Sequence, residues 1–259
     1  MSYKFDTIGT EVRDGRGPTV GARPRQLRFG TVGTNRRRTV ADRRRIREQE
    51  IIAATRGLFD AAGTREAHID DIANTVGVNR AVVYRHFTGM EELFGLTLCS
   101  YLDELTGLLE PALETARSRA GYDAAQGVTT LVETFVDYGM EYPAFVDCSL
   151  ALMRRTGLEL VEKVSESALA RLGVSIARCL SPITGVLQEG VDSGEFRPLD
   201  PAVVANHMYA SGLGVLQLSH VGVLVKESAP GVPLLGHLSH DQVKEYLITS
   251  ALAISAPRR

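Results

Sequence analysis

Residues 68–87 read HIDDIANTVGVNRAVVYRHF and contain two short helical patterns on either side of a tight turn. Four apolar residues at spacings i, i+3, i+4 and i+7 predict a helix over Ile69–Val76. Gly77 can adopt the left-handed conformation that ends a helix, and the Asn79 side chain can cap the next helix by accepting from a free backbone N–H group. We therefore expect another helix over Arg80–His86.

A longer helix precedes this pair. Apolar residues recur at helical spacing between Ile51 and Ala61, Thr39 and Asp42 have the spacing of a helix-start signal, and Gly63 is placed to end the helix. We expect this first helix to run from about residue 39 to residue 62. Two short helices joined by a Gly-containing turn and supported by a first helix define a helix-turn-helix, whose last helix enters the major groove of DNA.

The last helix of the motif is predicted to have one inward and one outward face. Val83 and Phe87 are four residues apart and should face the core. The residues then available to DNA are Asn79, Arg80, Ala81, Val82, Tyr84, Arg85 and His86. The arginines can bond base edges or phosphates, the tyrosine can donate to a phosphate oxygen, and the small apolar residues can approach a thymine methyl group. Short helices with one charged face also occur in unrelated helical proteins. The motif alone therefore does not distinguish a DNA-binding protein from another helical protein.

The charge distribution is strongly asymmetric along the chain. Residues 1–47 carry 13 Lys and Arg against four acids, whereas residues 48–259 carry 16 against 27, within a net charge of −2. A basic arm on an acidic body suggests that the N-terminal end binds a polyanion, although a solvated tail can have the same composition. Residues 1–38 are rich in Gly, Arg, Thr and Pro without apolar periodicity, so we expect them to be disordered.

The remainder of the chain is predicted to be helical. Thr88 and Glu91 form a capping-box pattern that opens a helix to about residue 119, followed by helices over about 123–141, 143–155, 157–191, 201–226 and 239–254. Pro182 should bend or split the 157–191 segment, and the Pro- and Gly-rich segment 229–236 is a break. The fold class is therefore all-α, with an N-terminal three-helix DNA-binding domain over 39–88 and a C-terminal helical body over 89–259.

Composition and motifs argue against several classes of protein. Cys99, Cys148 and Cys179 are an odd number without short spacing, which predicts neither a disulfide framework nor a zinc site. No secretory leader, membrane-spanning apolar run or catalytic signature is evident, so we expect a cytoplasmic protein that is not an enzyme and needs no cofactor. His237 and His240 are three apart without forming a tight set with a carboxylate, so no metal site is predicted there.

The run IIAATRGLFDAAG…IDDIANTVGVNRAVVYRHFTGMEELF, which ends at residue 94, resembles the DNA-binding head of the TetR family of bacterial regulators in order, spacing and residue type. The matching positions are Leu58-Phe59, Gly63, Ile72-Ala73, Gly77-Val78, Tyr84, Phe87 and Glu92-Leu93. The resemblance implies a homodimeric, all-helical regulator. Such a regulator binds a palindromic operator through its heads and releases it when a small molecule enters the C-terminal body.

The resemblance also assigns DNA contacts to individual positions. The family's contacting positions are occupied here by Arg80, Val82, Tyr84 and His86. At the position of Met90 the family usually has a lysine that contacts the DNA backbone. At the position of Ala67-His68 the family usually has a Thr or Ser. Both departures remove phosphate contacts, which supply the salt-dependent part of the affinity for DNA.

Arginines at the start of the first helix can compensate for those losses. Arg36, Arg37 and Arg38 precede a second triplet that includes Arg43 and Arg44. A flexible arginine arm can enter a minor groove, as homeodomain arms do. We hypothesise that the arm strengthens operator binding and that Arg43 and Arg44 contact DNA.

By the same resemblance, the effector pocket lies among the helices covering about 100–215. The candidate lining residues are Phe135, Tyr138, Phe145, Cys148, Leu152, Ile176, Cys179 and Met208. An apolar stripe at helical spacing belongs more often to a core than to a pocket. If these residues do line a pocket, their apolar character favours a small hydrophobic or amphipathic effector.

The segments 201–226 and 239–254 correspond, by resemblance, to the two last helices, which pack against their copies in a four-helix dimer interface. The small residues Ala205, Ala210, Gly212 and Gly214 would permit close helix approach. A two-fold dimer presents recognition helices about 34–36 Å apart, or a multiple of that spacing, and requires a palindromic operator. Two alternatives are an architectural DNA-binding dimer without an effector and a helical enzyme, for which no paired nucleophile and base is found.

Overall fold

The computed structural model describes residues 32–222 and 224–257, with side chains from residue 39 onward. Its helices are α1 (Val32–Ala62), α2 (Ile69–Val76), α3 (Arg80–His86), α4 (Met90–Arg117), α5 (Ala124–Glu141), α6 (Pro143–Met153), α7 (Gly157–Lys163), α8 (Glu166–Ser193), α9 (Pro201–Val221) and α10 (His240–Ser255). Two strands, β1 (Leu224–Ala229) and β2 (Val232–Gly236), form an antiparallel hairpin. The chain divides into two compact units, Met1–Ala41 and Asp42–Arg259. The described part of the first unit is helical.

Helices α2 and α3 have the bounds that the sequence predicts. Gly77 follows α2 in the left-handed conformation with φ of 72°, where a residue with a Cβ atom would be strained. Asn79 caps α3 by accepting from the backbone N–H of Val82 at 3.1 Å. The predicted helix-turn-helix is therefore confirmed as a local structure.

Helix α1 begins earlier than predicted. It starts at Val32, so the start expected at Thr39 is wrong, and residues 32–38, expected to be disordered, are helical. Arginine is a good helix former, and the three consecutive arginines extend the helix toward the N-terminus. The prediction for residues 1–31 lies outside the described residues.

Two expected helix boundaries in the body are also wrong. The segment 157–191 breaks at Val164 and Ser165, where the Ser165 side chain caps α8, and Pro182 lies inside α8 without splitting it. Helix α4 begins at Met90 after Gly89, and the hydroxyl of Thr88 bonds the carboxylate of Glu92 instead of Glu91.

The segment after α9 is a hairpin, where we expected the end of the helix 201–226 and a break over 229–236. Helix α9 ends at Val221, and Leu224–Ala229 pairs with Val232–Gly236. The turn between the strands is Pro230-Gly231, and Gly231 has φ of 77°. Pro fixes φ at the first central position of a tight turn and Gly supplies a positive φ at the second, so this dipeptide favours chain reversal.

One contiguous core joins the first three helices to the rest of the second unit. Phe59, Ile72 and Phe87 from the helix-turn-helix end belong to the same buried cluster as Tyr101 and Phe145. Within that unit α4 packs against α5, α6 and α8, and α10 packs against α5 and α9. The division into a DNA-binding head over 39–88 and a body over 89–259 is therefore functional and stays a prediction.

Candidate functional site

Two buried apolar side chains on the inward face of α3 anchor the helix to the core. Val83 and Phe87 are both buried, as the spacing of four residues predicts. The Phe87 backbone N–H donates to the Val83 carbonyl oxygen and closes the last turn of the helix. The cap at Asn79 and these two buried residues fix both ends of the helix and its rotation about its own axis.

The outward face of α3 carries polar and small residues. Arg80, Ala81 and Arg85 are exposed, and Tyr84 is exposed over 48% of its surface. Arg80 Nε lies 3.9 Å from Asp70 Oδ1 at the start of α2, an exposed pair in which the arginine remains available to an anion. Four of the seven predicted DNA-contacting residues thus share one accessible surface. From here on, we call these four residues the exposed face of α3.

The remaining three predicted residues of the motif differ in exposure. Asn79 is exposed but uses its side chain as the helix cap, and Val82 is half-buried. The Nδ1 atom of His86 is buried and has no hydrogen-bond partner among the described residues. Burial, and then the nearby charge of Arg44, lowers the pKa of His86, so the imidazole is neutral at pH 7.

Helix α1 brings basic side chains next to α3. Arg44 and Glu48 border a polar cavity of about 300 Å³ together with Tyr84, Arg85 and His86. Arg43 is exposed on α1 but does not border this cavity. The side chains of Arg36, Arg37 and Arg38 lie outside the described residues.

Arg171 of α8 borders the same polar cavity, and the sequence reading missed it. Its guanidinium pairs with Glu48, so a residue of the body contacts the first helix of the motif. Nothing in the local sequence around Arg171 indicates this, because the pair joins residues that are 123 positions apart.

The junction between α3 and α4 is tied to α8 by one carboxylate. Glu92 accepts from the Thr88 backbone N–H at 3.0 Å and from the Ser165 hydroxyl at 2.8 Å. Burial alone would raise the pKa of Glu92, but the hydrogen bonds from Thr88 and Ser165 outweigh it and lower the pKa below its usual value. The charged carboxylate therefore fixes the end of the motif against the start of α8.

A second bridge between α1 and the body is built around Arg56. Its guanidinium lies 4.2 Å from the centre of the Tyr101 ring and pairs with Glu104 of α4. The Tyr138 hydroxyl donates to the same Glu104 carboxylate at 3.0 Å, and Arg65, after α1, donates its backbone N–H to Asp147 of α6 at 3.0 Å. Helices α4, α5 and α6 all reach α1 or the loop after it through these groups.

An apolar cavity lies inside the body, between α4, α5, α8, α9 and α10. Its volume is about 70 Å³. The lining residues are Leu109, Leu131, Val132, Phe135, Cys179, Leu180, Ile183, Ala205, Met208, Tyr209, Ser211, Gly212, Leu247, Ser250, Ala251 and Ile254. Phe135, Cys179 and Met208 of the predicted effector-binding set belong to this apolar cavity.

The other predicted effector-binding residues lie elsewhere. Cys148 and Leu152 line a second, smaller cavity of about 30 Å³ beside α7. Tyr138, Phe145 and Ile176 line neither of these two cavities, since Phe145 is fully buried and its ring packs against that of Tyr138. The expected pocket of eight residues is therefore divided between two cavities and the core.

The apolar cavity contains few polar groups. Tyr209, which the sequence reading missed, donates its hydroxyl to Ser149 Oγ at 3.0 Å, and Ser211 and Ser250 provide hydroxyls. Burial raises the pKa of Cys179 to about 12, so its side chain is a neutral thiol. A charged ligand would lose its hydration here without gaining an ion pair, which favours an uncharged, apolar occupant.

Helix α9 presents an exposed row on the side away from the cavity. Val203, His207, Gly214, Leu218 and Val221 are exposed and recur at spacings of three, four and seven. This α9 row is accompanied by exposed residues of α10 that include Tyr246, Thr249 and Ala253.

Two of the four small residues expected at the dimer interface face the other way. Ala205 and Gly212 are buried, and a Cβ atom on Gly212 would lie 2.7 Å from the Phe135 ring. These two residues therefore admit a neighbouring side chain of the same chain instead of a second helix. Gly214 remains available for close approach, because nothing lies within 4 Å of its Cβ position.

Comparison with known proteins finds one family model that matches the N-terminal part of the chain. Residues 51–96 match the model of the bacterial regulatory proteins of the tetR family. The HTH-type transcriptional activator FasR of Mycolicibacterium smegmatis is 34% identical over 107 residues, which are 41% of this chain and 46% of that protein. The chain thus spans about half the length of that relative. The HTH-type transcriptional regulator SrpR of Pseudomonas putida is 28% identical over 172 residues, 61% of this chain and 80% of that protein.

Solved structures extend the likeness to more than four fifths of the chain. The structure of RolR in complex with resorcinol has a TM-score of 0.59 at 14% identity and covers 84% of this chain and 91% of its own. The ketosteroid transcriptional regulator KstR2 of Mycobacterium tuberculosis has a TM-score of 0.52 at 19% identity, covering 82% of this chain and 96% of its own. At these identities the likeness establishes the fold alone. Every described helix is too short or too polar to cross a membrane.

Proposed function

Because residues 51–96 match the model of the tetR family and the fold is similar to that of RolR, we propose that the chain is a transcriptional repressor acting on double-stranded DNA in the cytoplasm. The observation that carries the proposal is the exposed face of α3, with Arg80 and Arg85 held outward by the buried Val83 and Phe87. A helix fixed in rotation with exposed arginines is suited to read base edges and phosphates in the major groove.

The residues predicted at the DNA-binding surface fall into three groups in this proposal. Arg80, Ala81, Tyr84 and Arg85 contact the major groove and its phosphates. Arg43 and Arg44 contact the flanking backbone, and Asn79, Val82 and His86 support the helix. The arm before residue 39 adds phosphate contacts, so that deleting it should weaken binding and lower its salt dependence.

The proposed active form is a homodimer. The α9 row and the exposed side of α10 pack against their copies, which presents two α3 helices to successive major grooves. The operator is then palindromic, with half-sites about 34–36 Å apart or a multiple of that spacing.

The proposed signal is a small apolar molecule that enters the apolar cavity. Its volume of about 70 Å³ is below the roughly 300 Å³ that a small-molecule site needs, so the ligand must spread the surrounding helices. Leu109 of α4 lines the cavity, and α4 runs from it to Met90, beside α3, over roughly 28 Å at the helical rise per residue. Displacement of α4 changes the position of α3 and so disfavours the DNA-bound form. That RolR is in complex with resorcinol and that another relative in fold is a ketosteroid regulator support an uncharged effector here, since both names point to compounds built on carbon rings without an ionised group.

The test begins with DNA. Genomic fragments from the source organism are captured on the purified full-length protein, sequenced and footprinted. We expect protection of two symmetric half-sites, whereas a single asymmetric half-site bound by a monomer would contradict the proposal.

The second step of the test separates a ligand-responsive repressor from an architectural protein. A panel of apolar and amphipathic compounds is screened for a rise in melting temperature, and each hit is added to the protein–operator complex. We expect at least one hit to release the operator. Stabilisation by none of the compounds would favour an effector-independent architectural dimer.

A further inference from the structure

The polar cavity between α1, α3 and α8 is a second concave site, and it shares no lining residue with the apolar cavity of the body. Its volume is about 300 Å³. Small-molecule sites begin at roughly this volume, so the polar cavity can hold a small ligand without spreading its helices. Each of the three helices contributes one arginine to its lining, namely Arg44, Arg85 and Arg171.

The arginines of the polar cavity are available to an anion. Arg44 and Arg85 are exposed, and neither forms an ion pair within the described part of the chain. Arg171 pairs with Glu48, but its side chain is exposed over 52% of its surface. An exposed ion pair contributes little free energy, so the Arg171 guanidinium can turn to a more highly charged anion at small cost.

The second acid of the polar cavity, Glu92, is already bonded through both carboxylate oxygens. One oxygen accepts from the Thr88 backbone N–H at 3.0 Å, and the other accepts from the Ser165 hydroxyl at 2.8 Å. Three arginines and two glutamates line the cavity, and both glutamates have partners. The groups without partners are therefore the cations.

The pKa of His86 is consistent with a positive potential at this wall. Burial lowers this pKa, and the charges of Arg44, Arg85 and Arg47 lower it further, whereas Glu48 opposes them. An anion in the cavity would offset the same arginine charges. The potential therefore favours a ligand with negative charge.

The charge and geometry of the lining suit a phosphate monoester. The planar guanidinium fork matches the oxygens of phosphate and carboxylate groups. A phosphate monoester carries a charge of about −1.5 to −2 at pH 7, which fits two arginines without partners better than the single charge of a carboxylate. Tyr84 and Ser167 also border the cavity and have hydroxyls that can donate to ligand oxygens.

We propose that the polar cavity binds a small phosphate monoester through Arg44, Arg85 and Arg171, and that this ligand competes with DNA. The competition rests on the proposed function, in which Arg44 and Arg85 contact DNA, because one guanidinium cannot give the same N–H groups to both. Arg171 belongs to the body and is not among the proposed DNA contacts. It is therefore the residue that distinguishes the monoester from DNA.

The first experiment measures binding to the full-length protein by isothermal titration calorimetry, without DNA. The probes are glycerol 3-phosphate, ribose 5-phosphate and adenosine 5′-monophosphate, each compared with glycerol, ribose or adenosine. We expect at least one monoester to bind saturably and its phosphate-free counterpart not to bind. Arg171→Gln should weaken that binding at least tenfold. Arg178→Gln, at an exposed arginine of α8 that does not border the cavity, is the matched control and should leave it unchanged.

The second experiment locates the ligand by NMR titration of the His86 ring, whose signal is identified by its loss in His86→Gln. Saturation with the bound monoester should raise the pKa of His86, because a nearby anion favours the imidazolium form. An unchanged pKa would place the ligand elsewhere and overturn the site. Circular dichroism melts of all variants show whether each is folded.

The third experiment adds the operator. The monoester should release it from the wild type and not from Arg171→Gln, while the two proteins bind the operator equally, within twofold, when no monoester is present. If Arg171→Gln itself weakens operator binding more than this, a DNA phosphate occupies the cavity and the inference is wrong.

The remaining outcomes separate the two levels of the proposal. Failure of all three monoesters to bind, or equal binding by wild type and Arg171→Gln, would overturn the site. Binding without release of the operator would overturn the competition. If monoester binding depends on Arg171 but no operator is found, the site is supported and the proposed function is wrong.

Discussion

The exposed face of α3 and the apolar cavity of the body are built in opposite ways. The face is convex, polar and made by one helix of seven residues. The cavity is concave, apolar and made by five helices, with lining residues from Leu109 to Ile254. The comparison teaches that a site fixed by local caps can be read from a short stretch of sequence, whereas a site fixed by packing cannot.

The two regions also differ in what a substitution should change. Residues of the α3 face are exposed, so replacing them should alter DNA binding with little effect on folding. The walls of the cavity belong to a core shared with the helix-turn-helix, so replacing the side chains around it should destabilise the whole second unit. Four experiments test this difference between the two regions.

The largest expected effect is on the shared core. Phe145→Ala removes a fully buried ring that packs against Phe135 and Tyr138. We expect the free energy of unfolding to fall by about 3–5 kcal/mol, measured by urea denaturation. Leu158→Ala, at a residue exposed over 72% of its surface, should change it by less than about 0.5 kcal/mol. Two separate unfolding transitions, with only one affected, would show that head and body do not share a core.

The next effect is on DNA binding alone. Arg85→Ala should weaken operator binding by about 1–3 kcal/mol and lower the slope of affinity against salt by about 1, because it removes a cation from the exposed face of α3. Fluorescence anisotropy at several salt concentrations measures both quantities. Arg178→Ala, at an exposed arginine of α8, is the control and should change neither. Equal losses in the two variants would mean that overall charge, and not the α3 face, governs binding.

A smaller effect is expected when the caps of two helices are removed and the two variants are compared. Asn79→Ala removes the cap of α3, and Asp123→Ala removes the cap of α5, where the carboxylate accepts from the Gln126 backbone N–H at 2.8 Å. Each should lower the free energy of unfolding by about 1 kcal/mol. Only Asn79→Ala should also weaken operator binding, since α3 touches DNA in the proposal and α5 does not. If both variants weaken binding to the same degree, the α3 cap has no local role.

The smallest effect is pH-dependent and concerns the joint between the two regions. The lowered pKa of Glu92 means that its charged form stabilises the fold, fully above pH of about 4.5, and that this stability is lost as the pH falls through the lowered pKa. Glu92→Gln should therefore be less stable than the wild type by about 0.5–1 kcal/mol at pH 7, with the difference vanishing at low pH. Urea denaturation from pH 3 to pH 7 measures it, with Glu245→Gln as the exposed control. A difference that persists at pH 3 would assign the loss to packing.

The sequence predicted α2, the turn and α3 with their bounds because each boundary depends on one nearby residue. Gly77 ends a helix by its own backbone conformation, and Asn79 caps a helix three residues away. The inward direction of Val83 and Phe87 follows from helical periodicity alone. Boundaries that depend on competition between signals were predicted wrongly, as at Ser165, which caps the start of α8, whereas a bend or break was expected at Pro182.

The body was predicted less well, for a physical reason. Phe135, Cys179 and Met208 reach the apolar cavity while Phe145 fills the core, although all four have the same apolar character. Whether such a residue lines a cavity depends on which side chains from distant helices fill the space beside it. Tyr209 and Arg171 were missed because their partners are 60 and 123 positions away.

Local sequence signals were therefore enough to predict the helical class, the helix-turn-helix and the outward residues of α3. These features follow from backbone preference, capping and periodicity, which act within a few residues. Three other features are visible only in the folded molecule: the side chains that enclose the apolar cavity, the charges that join α1 to the body, and the apolar hairpin that lies open at the α9–α10 junction. Those features depend on packing between segments far apart in the chain, where apolar surface is buried wherever the helices meet, and no short stretch of sequence records where that is.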